Sequence, residues 1–219
     1  MEKIRVGIMG CAAIAKRSLV PAFAVHPSFQ LAAIASRTAE KAAEVAGQYG
    51  ARPCSYDELV VADDVDLIYC PLPTGLHAEW VAKCLQAGKH VLCEKSLACT
   101  YEEVQYLVEQ ARTHKLLLME SFQFQFHAQN LYVKNLLKEG TIGPLRQVVI
   151  RFGIPPFPEG EANIRYHKEL GGGALLDNGA YTLKAATYLL GEDLTVLAAM
   201  NDADRPDKDG VGDDMDLTG

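Results

Sequence analysis

The chain has 219 residues, which is enough for one large domain or two modest ones. Hydrophobic residues make up 49% of it and charged residues 22%, as in an ordinary globular protein. The formal net charge of −7 argues against a nucleic-acid partner, because no basic patch outweighs the acidic surface. No apolar run approaches the ~20 residues of a membrane span, and the first residues lack the pattern of a signal peptide.

Six cysteines are present, and none forms a C-x-x-C pair. Most lie in apolar strand or helix patterns, where cysteine packs as a small hydrophobic residue. The sequence therefore predicts neither a metal site nor disulfide bonds, and it favours a reducing cytoplasm as the setting.

The first motif is a strand, a turn of small residues and a helix. Residues 6–9 form an apolar run typical of a strand buried on both faces. The helix N-terminus that follows offers unpaired N–H groups and the positive end of its dipole to an anion. The turn reads Gly10-Cys11-Ala12-Ala13-Ile14-Ala15 where the dinucleotide fingerprint is G-x-G-x-x-G. We expect residues 10–14 to hold a pyrophosphate, although Ala12 adds one methyl group there and a plain buried turn is the alternative.

The end of the second predicted strand indicates which dinucleotide is bound. NAD-specific folds place an acidic residue there, whereas this chain has Ser36 and Arg37, with Lys41 one helical turn further on. A hydroxyl and a guanidinium suit a 2′-phosphate, because arginine binds oxyanions through two parallel hydrogen bonds. The pattern predicts NADP(H) rather than NAD, and an ordinary surface arginine is the alternative.

Apolar periodicity, helix caps and glycine stops predict the other elements. After one helix near residues 14–23, they are strand 30–36, helix 39–49, strand 66–70, helix 76–87, strand 90–95, helix 101–114, strand 116–120, helix 125–139, strand 145–152, helix 174–190 and strand 194–199. Alternating strands and helices on short connections predict a doubly wound parallel α/β sheet in a first domain, residues 1–121. The composition then changes, and partial alternation in 145–152 predicts a sheet covered on one side in a second domain, residues 122–219.

Two strand ends of the first domain carry further candidate residues. The strand at 66–70 leads into the loop Pro71-Leu72-Pro73, and His77 follows near the expected nicotinamide. His77 is either a cofactor contact or a histidine at a helix start with no chemical role. The strand at 90–95 ends in Glu94 and Lys95, where open α/β sheets bind their ligands. We expect the loop residues 71–73, Glu94 and Lys95 to contact the cofactor, and His77 with them under the first of its two alternatives.

Two longer segments carry a family resemblance. They are Ala87-Gly-Lys-His-Val-Leu-Cys-Glu-Lys95 and Gly171-Gly-Gly-Ala-Leu-Leu-Asp-Asn-Gly-Ala-Tyr181. Both resemble segments of the Gfo/Idh/MocA (glucose–fructose oxidoreductase/inositol dehydrogenase) family. Within the family, the small-residue turn and the tyrosine ending look closest to NADP-dependent sugar 3-ketoreductases. The resemblance implies an N-terminal Rossmann domain and a C-terminal α+β domain. That second domain would have an open, mostly antiparallel sheet that supports homo-oligomers, here expected to be incomplete.

The resemblance also implies site residues. Lys95 falls on the family's active-site lysine, and Asp177 and Tyr181 fall on its Asp-x-Gly-x-His/Tyr motif. A lysine ammonium near a tyrosine favours the phenolate and so lowers the pKa of the phenol, which makes it a better proton donor near neutral pH. Lys95 would therefore polarise a carbonyl oxygen, and Tyr181 would protonate it. Asp177 would hold the lysine or a substrate hydroxyl, and Arg165 and Tyr166 are candidate substrate contacts. Ser96 replaces the proline that usually follows the lysine, often across a cis peptide, which leaves the direction of Lys95 open.

The leading hypothesis is hydride transfer between NADP(H) and a sugar or polyol carbon, most readily the reduction of a keto-sugar. An aldose or trans-dihydrodiol dehydrogenase, which uses the same residues in the opposite direction, is the second hypothesis. A catalytically silent dinucleotide-binding or sensor protein is the third, suggested by Ser96 and the incomplete second domain.

Overall fold

The structure is a computed structural model, and it describes residues 2–155 and 163–199. Most of the loop 155–158 and the Asp- and Gly-rich segment 201–219 lie outside these ranges. The chain divides into two compact units, Met1–Ser121 and Phe122–Gly219. No helix in the described part of the chain is long and apolar enough to cross a membrane.

The first unit is built on a six-stranded sheet in which every neighbouring pair is parallel. Its strands are β1 (Ile4–Met9), β2 (Phe29–Ala35), β3 (Arg52–Cys54), β4 (Leu67–Cys70), β5 (His90–Glu94) and β6 (Leu118–Ser121). The strand order is β3-β2-β1-β4-β5-β6, which confirms the predicted Rossmann sheet. The order reverses between β1 and β4, and the carboxyl ends of the strands at such a reversal are where open sheets bind ligands.

Six helices connect these strands. They are α1 (Ala13–Arg17), α2 (Leu19–Val25), α3 (Ala39–Tyr49), α4 (Tyr56–Val60), α5 (His77–Gln86) and α6 (Tyr101–Thr113). The single helix predicted after β1 is wrong, because the chain breaks at Ser18 (φ −122°, ψ −81°). Pro21 explains the break: its ring would clash with the carbonyl of Arg17 in a continuous helix, but it is accommodated in the first turn of α2.

Helix caps agree with the sequence where the sequence carries a strong signal. The side chain of Thr38 accepts a hydrogen bond from the N–H of Lys41, and Gly50 ends α3 with φ +66°. Thr100 and Glu103 form the predicted capping box of α6. Residues 52–60 were not predicted as structured, but they form β3 and α4.

Apolar side chains cover both faces of the sheet. One cluster contains Met9, Ile68 and Leu107, and the other contains Val6 and Tyr69, all 0% exposed. Successive residues of one strand, such as Ile68 and Tyr69, therefore enter different clusters, as expected for a sheet with helices on both sides. This burial is the main driving force that stabilises the sheet.

The described part of the second unit is helical. It contains a 3-10 turn (Gln123–Phe126), α7 (Ala128–Lys138), two further 3-10 turns (Ile164–Tyr166 and Lys168–Leu170), a π-helical turn (Leu175–Gly179) and α8 (Ala180–Leu190). The predicted helices at 125–139 and 174–190 are confirmed with shorter α-helical bounds. The strands predicted at 145–152 and 194–199 are wrong, since the structure describes both segments and assigns neither to a strand. Alternation is not sufficient for a strand, which also needs a neighbour to pair with its N–H and C=O groups.

Candidate functional site

The turn after β1 has a backbone that only glycine suits. Gly10 has φ +115°, and a Cβ atom there would lie 3.0 Å from Cδ2 of Leu72. The N–H of Gly10 donates to the carbonyl of Ala35 at 2.9 Å, which joins the ends of β1 and β2. Ala12 is extended (φ −61°, ψ 151°) and α1 begins at the next residue. Ala15 is fully buried, as expected where the helix packs on the sheet.

Two lysines act on the cysteine of this turn. The Cys11 thiol is buried, and burial raises its pKa, while a hydrogen bond with Ser36 and the charges of Lys41 and Lys16 oppose that rise. Cys11 Sγ also lies 4.0 Å from the backbone carbonyl oxygen of Lys41. The two lysine charges favour an anionic ligand near the turn, and the Glu44 carboxylate on α3 acts in the opposite direction.

A cavity of about 390 Å³ opens beside the turn, at the carboxyl ends of β2 and β3. Its lining residues are Ser36, Arg37, Ala39, Ala42, Ala43, Pro53, Cys54, Ser55 and Glu58. The Glu58 carboxylate accepts hydrogen bonds from the N–H and hydroxyl of Ser55 at 2.7 and 2.9 Å, and these bonds lower its pKa. Because that carboxylate is engaged by the cap of α4, the Arg37 guanidinium and the Ser36 hydroxyl are the groups suited to an incoming phosphate.

Tyr56 is a further residue near the turn that the sequence did not reveal. A Cβ atom at Gly10 would lie 3.7 Å from the Tyr56 hydroxyl, and the tyrosine ring packs edge-on against Trp80 at 5.2 Å. Burial raises the pKa of Tyr56, and the positive charge of Arg37 opposes that rise. The residue was overlooked because β3 and α4 were not predicted, although the pattern Ser55-x-x-Glu58 announces a helix at this point.

His77 begins α5 and is 0% exposed. Its Nδ1 lies 2.7 Å from the carbonyl oxygen of Ser96, and its Nε2 lies 2.7 Å from the carbonyl oxygen of Leu72. Burial lowers the pKa of His77, and the two carbonyl contacts oppose that change. The imidazole is thus enclosed between two loops, and a contribution to cofactor binding would act through those loops.

The carboxyl end of β5 carries the predicted catalytic lysine. Glu94 is 9% exposed and accepts a hydrogen bond from the buried Tyr69 hydroxyl at 2.6 Å. Burial and the neighbouring Glu94 charge raise the pKa of Tyr69, so the phenol remains the donor. Lys95 is half-buried, and the peptide bond between Lys95 and Ser96 is cis.

Glu120, at the end of β6, supports the segment after Lys95. Its Oε1 accepts a hydrogen bond from the N–H of Leu97 at 2.8 Å. Glu120 had no predicted role, and the only sequence signal was an acidic residue at the carboxyl end of a strand.

One group in the described part of the chain has the composition of a metal site. The ligand atoms of Cys70, His77 and Cys93 lie within 4.8 Å of one another, and all three residues are buried. Both ring nitrogens of His77 already face carbonyl oxygens, so a metal ion would have to displace one of these contacts. The absence of a resident metal therefore stays a prediction.

In the second unit, two predicted substrate-site residues are joined to each other. Arg165 Nε donates a hydrogen bond to Asp177 Oδ2 at 2.5 Å, and the Asp177 side chain is 16% exposed. The glycine run makes this possible, because a Cβ atom at Gly172 would lie 2.4 Å from the carbonyl oxygen of Arg165. Gly173 N donates to that same oxygen at 2.9 Å. Tyr166 lies in the same 3-10 turn as Arg165 and is partly buried.

Tyr181 lies on α8 among aromatic rings. Ring centroids of Phe122, Phe124 and Phe152 are 5.6, 6.2 and 5.3 Å from that of Tyr181. Asp177 belongs to the π-helical turn just before α8, a type of turn that is frequent at functional sites. The predicted residues therefore form two groups, one at the strand ends of the first unit and one around Arg165, Asp177 and Tyr181 in the second.

Comparison with known proteins identifies the family to which this arrangement belongs. Residues 4–122 match the model of the oxidoreductase family with an NAD-binding Rossmann fold, and residues 130–218 match that of the GFO/IDH/MocA C-terminal domain. The chain therefore belongs to the Gfo/Idh/MocA family of oxidoreductases.

Several relatives have names that describe an activity. A dTDP-3,4-didehydro-2,6-dideoxy-alpha-D-glucose 3-reductase from Actinomadura kijaniata is 46% identical over 198 residues, which are 90% of this chain and 59% of the relative. A D-xylose 1-dehydrogenase (NADP(+)) from Haloferax volcanii is 35% identical over 198 residues, again 90% of this chain and 60% of the relative. The chain thus spans about three fifths of the curated relatives it matches.

Solved structures give the same picture. A 3-ketoreductase from Actinomadura kijaniata, crystallised in complex with NADP and TDP-benzene, matches with a TM-score of 0.86 and 45% identity. The match covers 90% of this chain and 61% of that protein.

Proposed function

We propose that this chain contributes to an NADP-dependent oxidoreductase that reduces a ketone on a dTDP-linked sugar. The observation that carries the proposal is the cavity of about 390 Å³ lined by Ser36 and Arg37, next to the glycine turn of β1. Its basic and hydroxyl-bearing end fits the 2′-phosphate that distinguishes NADP from NAD. The relatives named as sugar 3-reductases, and the 3-ketoreductase solved with NADP, support the same function.

The cofactor would be held by residues that all belong to the first unit. Residues of the β1 turn and the cavity would hold its phosphates, and residues after β4 and β5 would surround its nicotinamide. The first set is Gly10, Cys11, Ala12, Ala13, Ile14, Ser36, Arg37 and Lys41; the second is Pro71, Leu72, Pro73, His77, Glu94 and Lys95. The positive φ of Gly10 and the tight contact a side chain would make there support a backbone shaped for close approach of a ligand.

The protein residues would supply position and the proton. The bound cofactor contributes the hydride. Lys95 would polarise the ketone oxygen through its positive charge, and Tyr181 would donate the proton to it. The aromatic rings around Tyr181 support this role, because their packing limits the orientations of the phenol.

Asp177 receives a different role from the one expected. Its hydrogen bond with Arg165 supports a function in fixing the guanidinium, rather than in holding Lys95. A guanidinium held in one orientation suits a phosphate of the dTDP group. We propose that Arg165 and Tyr166 contact the substrate and that Asp177 orients Arg165.

Several wider features remain proposals. The unit Met1–Ser121 would be the cofactor domain, and the unit Phe122–Gly219 would belong to a substrate domain with an open, mostly antiparallel sheet through which copies form a homo-oligomer. Six cysteines without disulfide bonds support a reducing compartment, and we propose the cytoplasm.

A second candidate function is oxidation of an aldose. The D-xylose 1-dehydrogenase from Haloferax volcanii supports it, because the same lysine and tyrosine chemistry runs in either direction. A silent binding protein is the third candidate.

The test is a titration of the chain with NADPH by fluorescence, followed by turnover with dTDP-linked 3-ketosugars and with free aldoses. Reduction of the ketosugars supports the leading proposal, and oxidation of aldoses alone supports the second. Cofactor binding without turnover on either panel would contradict both.

A further inference from the structure

We infer that His77 is a positioning residue that ties the nicotinamide loop to the lysine loop. The nicotinamide loop is residues 71–76, after β4, and the lysine loop is residues 95–98, after β5. The inference rests on the proposed function for its catalytic consequence, but the tie itself is a property of the apoprotein. The sequence left His77 as either a cofactor contact or an inert residue, and this role is neither.

The geometry carries the inference. The two ring nitrogens of His77 each lie 2.7 Å from a carbonyl oxygen, one of Leu72 and one of Ser96. These carbonyls belong to loops that follow adjacent parallel strands, where Cys70 of β4 pairs with Cys93 of β5. Beyond these residues the backbone pairing of β4 with β5 ends, and the His77 imidazole lies between the two loops.

Burial makes these contacts strong. His77 is 0% exposed, so water does not compete for either carbonyl. A neutral imidazole has one N–H, so it donates to one of the two carbonyl oxygens and packs its other ring nitrogen against the second. An apolar side chain in its place would leave the accepting carbonyl without its buried donor, which is costly. The loops would then separate until water reached them.

The consequence for the reaction follows from what the loops carry. Ser96 is joined directly to Lys95, and Leu72 packs against Gly10 at the phosphate turn. His77 thus connects the residue proposed to polarise the ketone with the loop proposed to bound the nicotinamide. A small displacement between the two would lower the rate of hydride transfer more than it would weaken cofactor binding.

The lysine loop contains one amide whose hydrogen exchange can report on the connection through His77. The N–H of Leu97 donates to Glu120 Oε1 at 2.8 Å, and Leu97 is 20 positions from His77 in the chain. Faster hydrogen exchange at Leu97 after a change at His77 would therefore not come from fraying of α5.

The experiment is hydrogen–deuterium exchange on the apoprotein of wild type, His77→Leu, His77→Gln and the control Val81→Ala. Val81 is also fully buried on α5, and its truncation weakens packing without removing a carbonyl partner. Exchange is normalised to the amides of β1 so that a uniform loss of stability cancels. We expect His77→Leu to accelerate exchange in both loops by at least about tenfold relative to Val81→Ala, because the free energy of local opening depends on the hydrogen bonds that hold a segment closed.

His77→Gln keeps the test valid if the leucine variant does not fold. Its amide can donate to one carbonyl, as the neutral imidazole does, but it does not fill the space of the ring against the other loop, so we expect exchange between that of wild type and that of the leucine variant. Unchanged exchange at Leu97 in both variants, or acceleration confined to residues 72–76, would overturn the inference.

Activity gives the second readout. We expect His77→Gln to lower kcat on a ketosugar by about tenfold or more, with a much smaller change in NADPH affinity. Equal losses in kcat and affinity would contradict a positioning role. If wild type neither binds NADPH nor turns over, the proposed function fails, and the exchange experiment still decides whether the tie exists.

Discussion

Arg165 and Asp177 are joined by a hydrogen bond of 2.5 Å between Nε and Oδ2, across the glycine run of the second unit. The aspartate side chain is largely buried, at 16% exposure, and the arginine is 39% exposed. The pair connects the 3-10 turn at 164–166 to the π-helical turn that precedes Tyr181. It therefore links a proposed substrate contact to the start of the helix that carries the proposed acid.

This pair is expected to be energetically coupled. In a double-mutant cycle with Arg165→Ala and Asp177→Ala, measured by urea unfolding, we expect a coupling energy of about 1 kcal/mol. The matched cycle with Arg165→Ala and Glu169→Ala should give a value near zero, since Glu169 Oε1 lies 3.2 Å from His167 Nδ1. Coupling that is equal in the two cycles would show that the 2.5 Å contact does not stabilise the unit.

Arg37 is expected to discriminate between the two dinucleotides. Arg37→Ala should weaken NADPH binding by about tenfold or more, because a charge-assisted hydrogen bond to the 2′-phosphate is lost. NADH has no such phosphate, so its affinity should change little. Fluorescence titration with both cofactors measures the difference, with the exposed Arg112→Ala on α6 as the control variant. Equal losses for NADPH and NADH would disprove the assignment.

Tyr181→Phe should remove the proton donor and keep the ring. The three neighbouring phenylalanines still pack against phenylalanine, so folding and NADPH affinity should be unchanged. We expect kcat on the ketosugar to fall by about a hundredfold, the usual contribution of a positioned acid. Tyr188→Phe, on the same helix, removes a hydroxyl that donates to the carbonyl of Gln125 and should leave kcat intact. A fully active Tyr181→Phe enzyme would require a different acid.

Acid should weaken the first unit through Asp66. Arg5 donates to its carboxylate from Nη2 at 2.6 Å and Nε at 3.0 Å, and these bonds lower the Asp66 pKa from 3.8 to about 2. A pKa that is lower in the folded state adds stability above the unfolded value, and that stability is lost as the pH falls from about 4 toward 2.

The measurement is urea unfolding of wild type and Asp66→Asn from pH 7 to pH 2. We expect the variant to be less stable by at most about 1 kcal/mol at pH 7, because the pair is more than one third exposed and solvent screens it. The difference should vanish near pH 2. Asp63→Asn, an exposed residue of the same loop, should show no such trend. A difference that is constant over this range would contradict the ionic origin.

The Rossmann unit was predictable from sequence because its signals are local. A buried strand shows as an apolar run, Thr38 and Gly50 mark the ends of α3, and short connections force parallel pairing. β3 escaped prediction because it has three residues, one of them Pro53, and only Cys54 is buried. The strands expected at 145–152 and 194–199 were predicted wrongly for the opposite reason. Alternation shows which side chains share a face, but it does not show that a neighbouring strand is present to pair with.

The candidate site was predictable only as residues near strand ends. Lys95 and Glu94 could be placed from the topology, because carboxyl ends of parallel strands share one edge. Three contacts depend on side-chain directions across three strands. They are the hydrogen bond from Tyr69 to Glu94, the contacts of His77 with two carbonyl oxygens, and the hydrogen bond from the N–H of Leu97 to Glu120. No spacing in the sequence encodes those directions. The pairing of Arg165 with Asp177 likewise depends on the close backbone approach at Gly172, which three consecutive glycines permit but do not specify.

The six-stranded order has a consequence for how the protein is made. All six strands of the sheet come from residues 4–121, and each neighbouring pair joins two segments within that range. On the ribosome, the sheet can therefore close while the later segments are still being synthesised. A nascent chain whose first unit binds the dinucleotide, as proposed above, would gain stability from the cellular pool of coenzyme before the second unit exists.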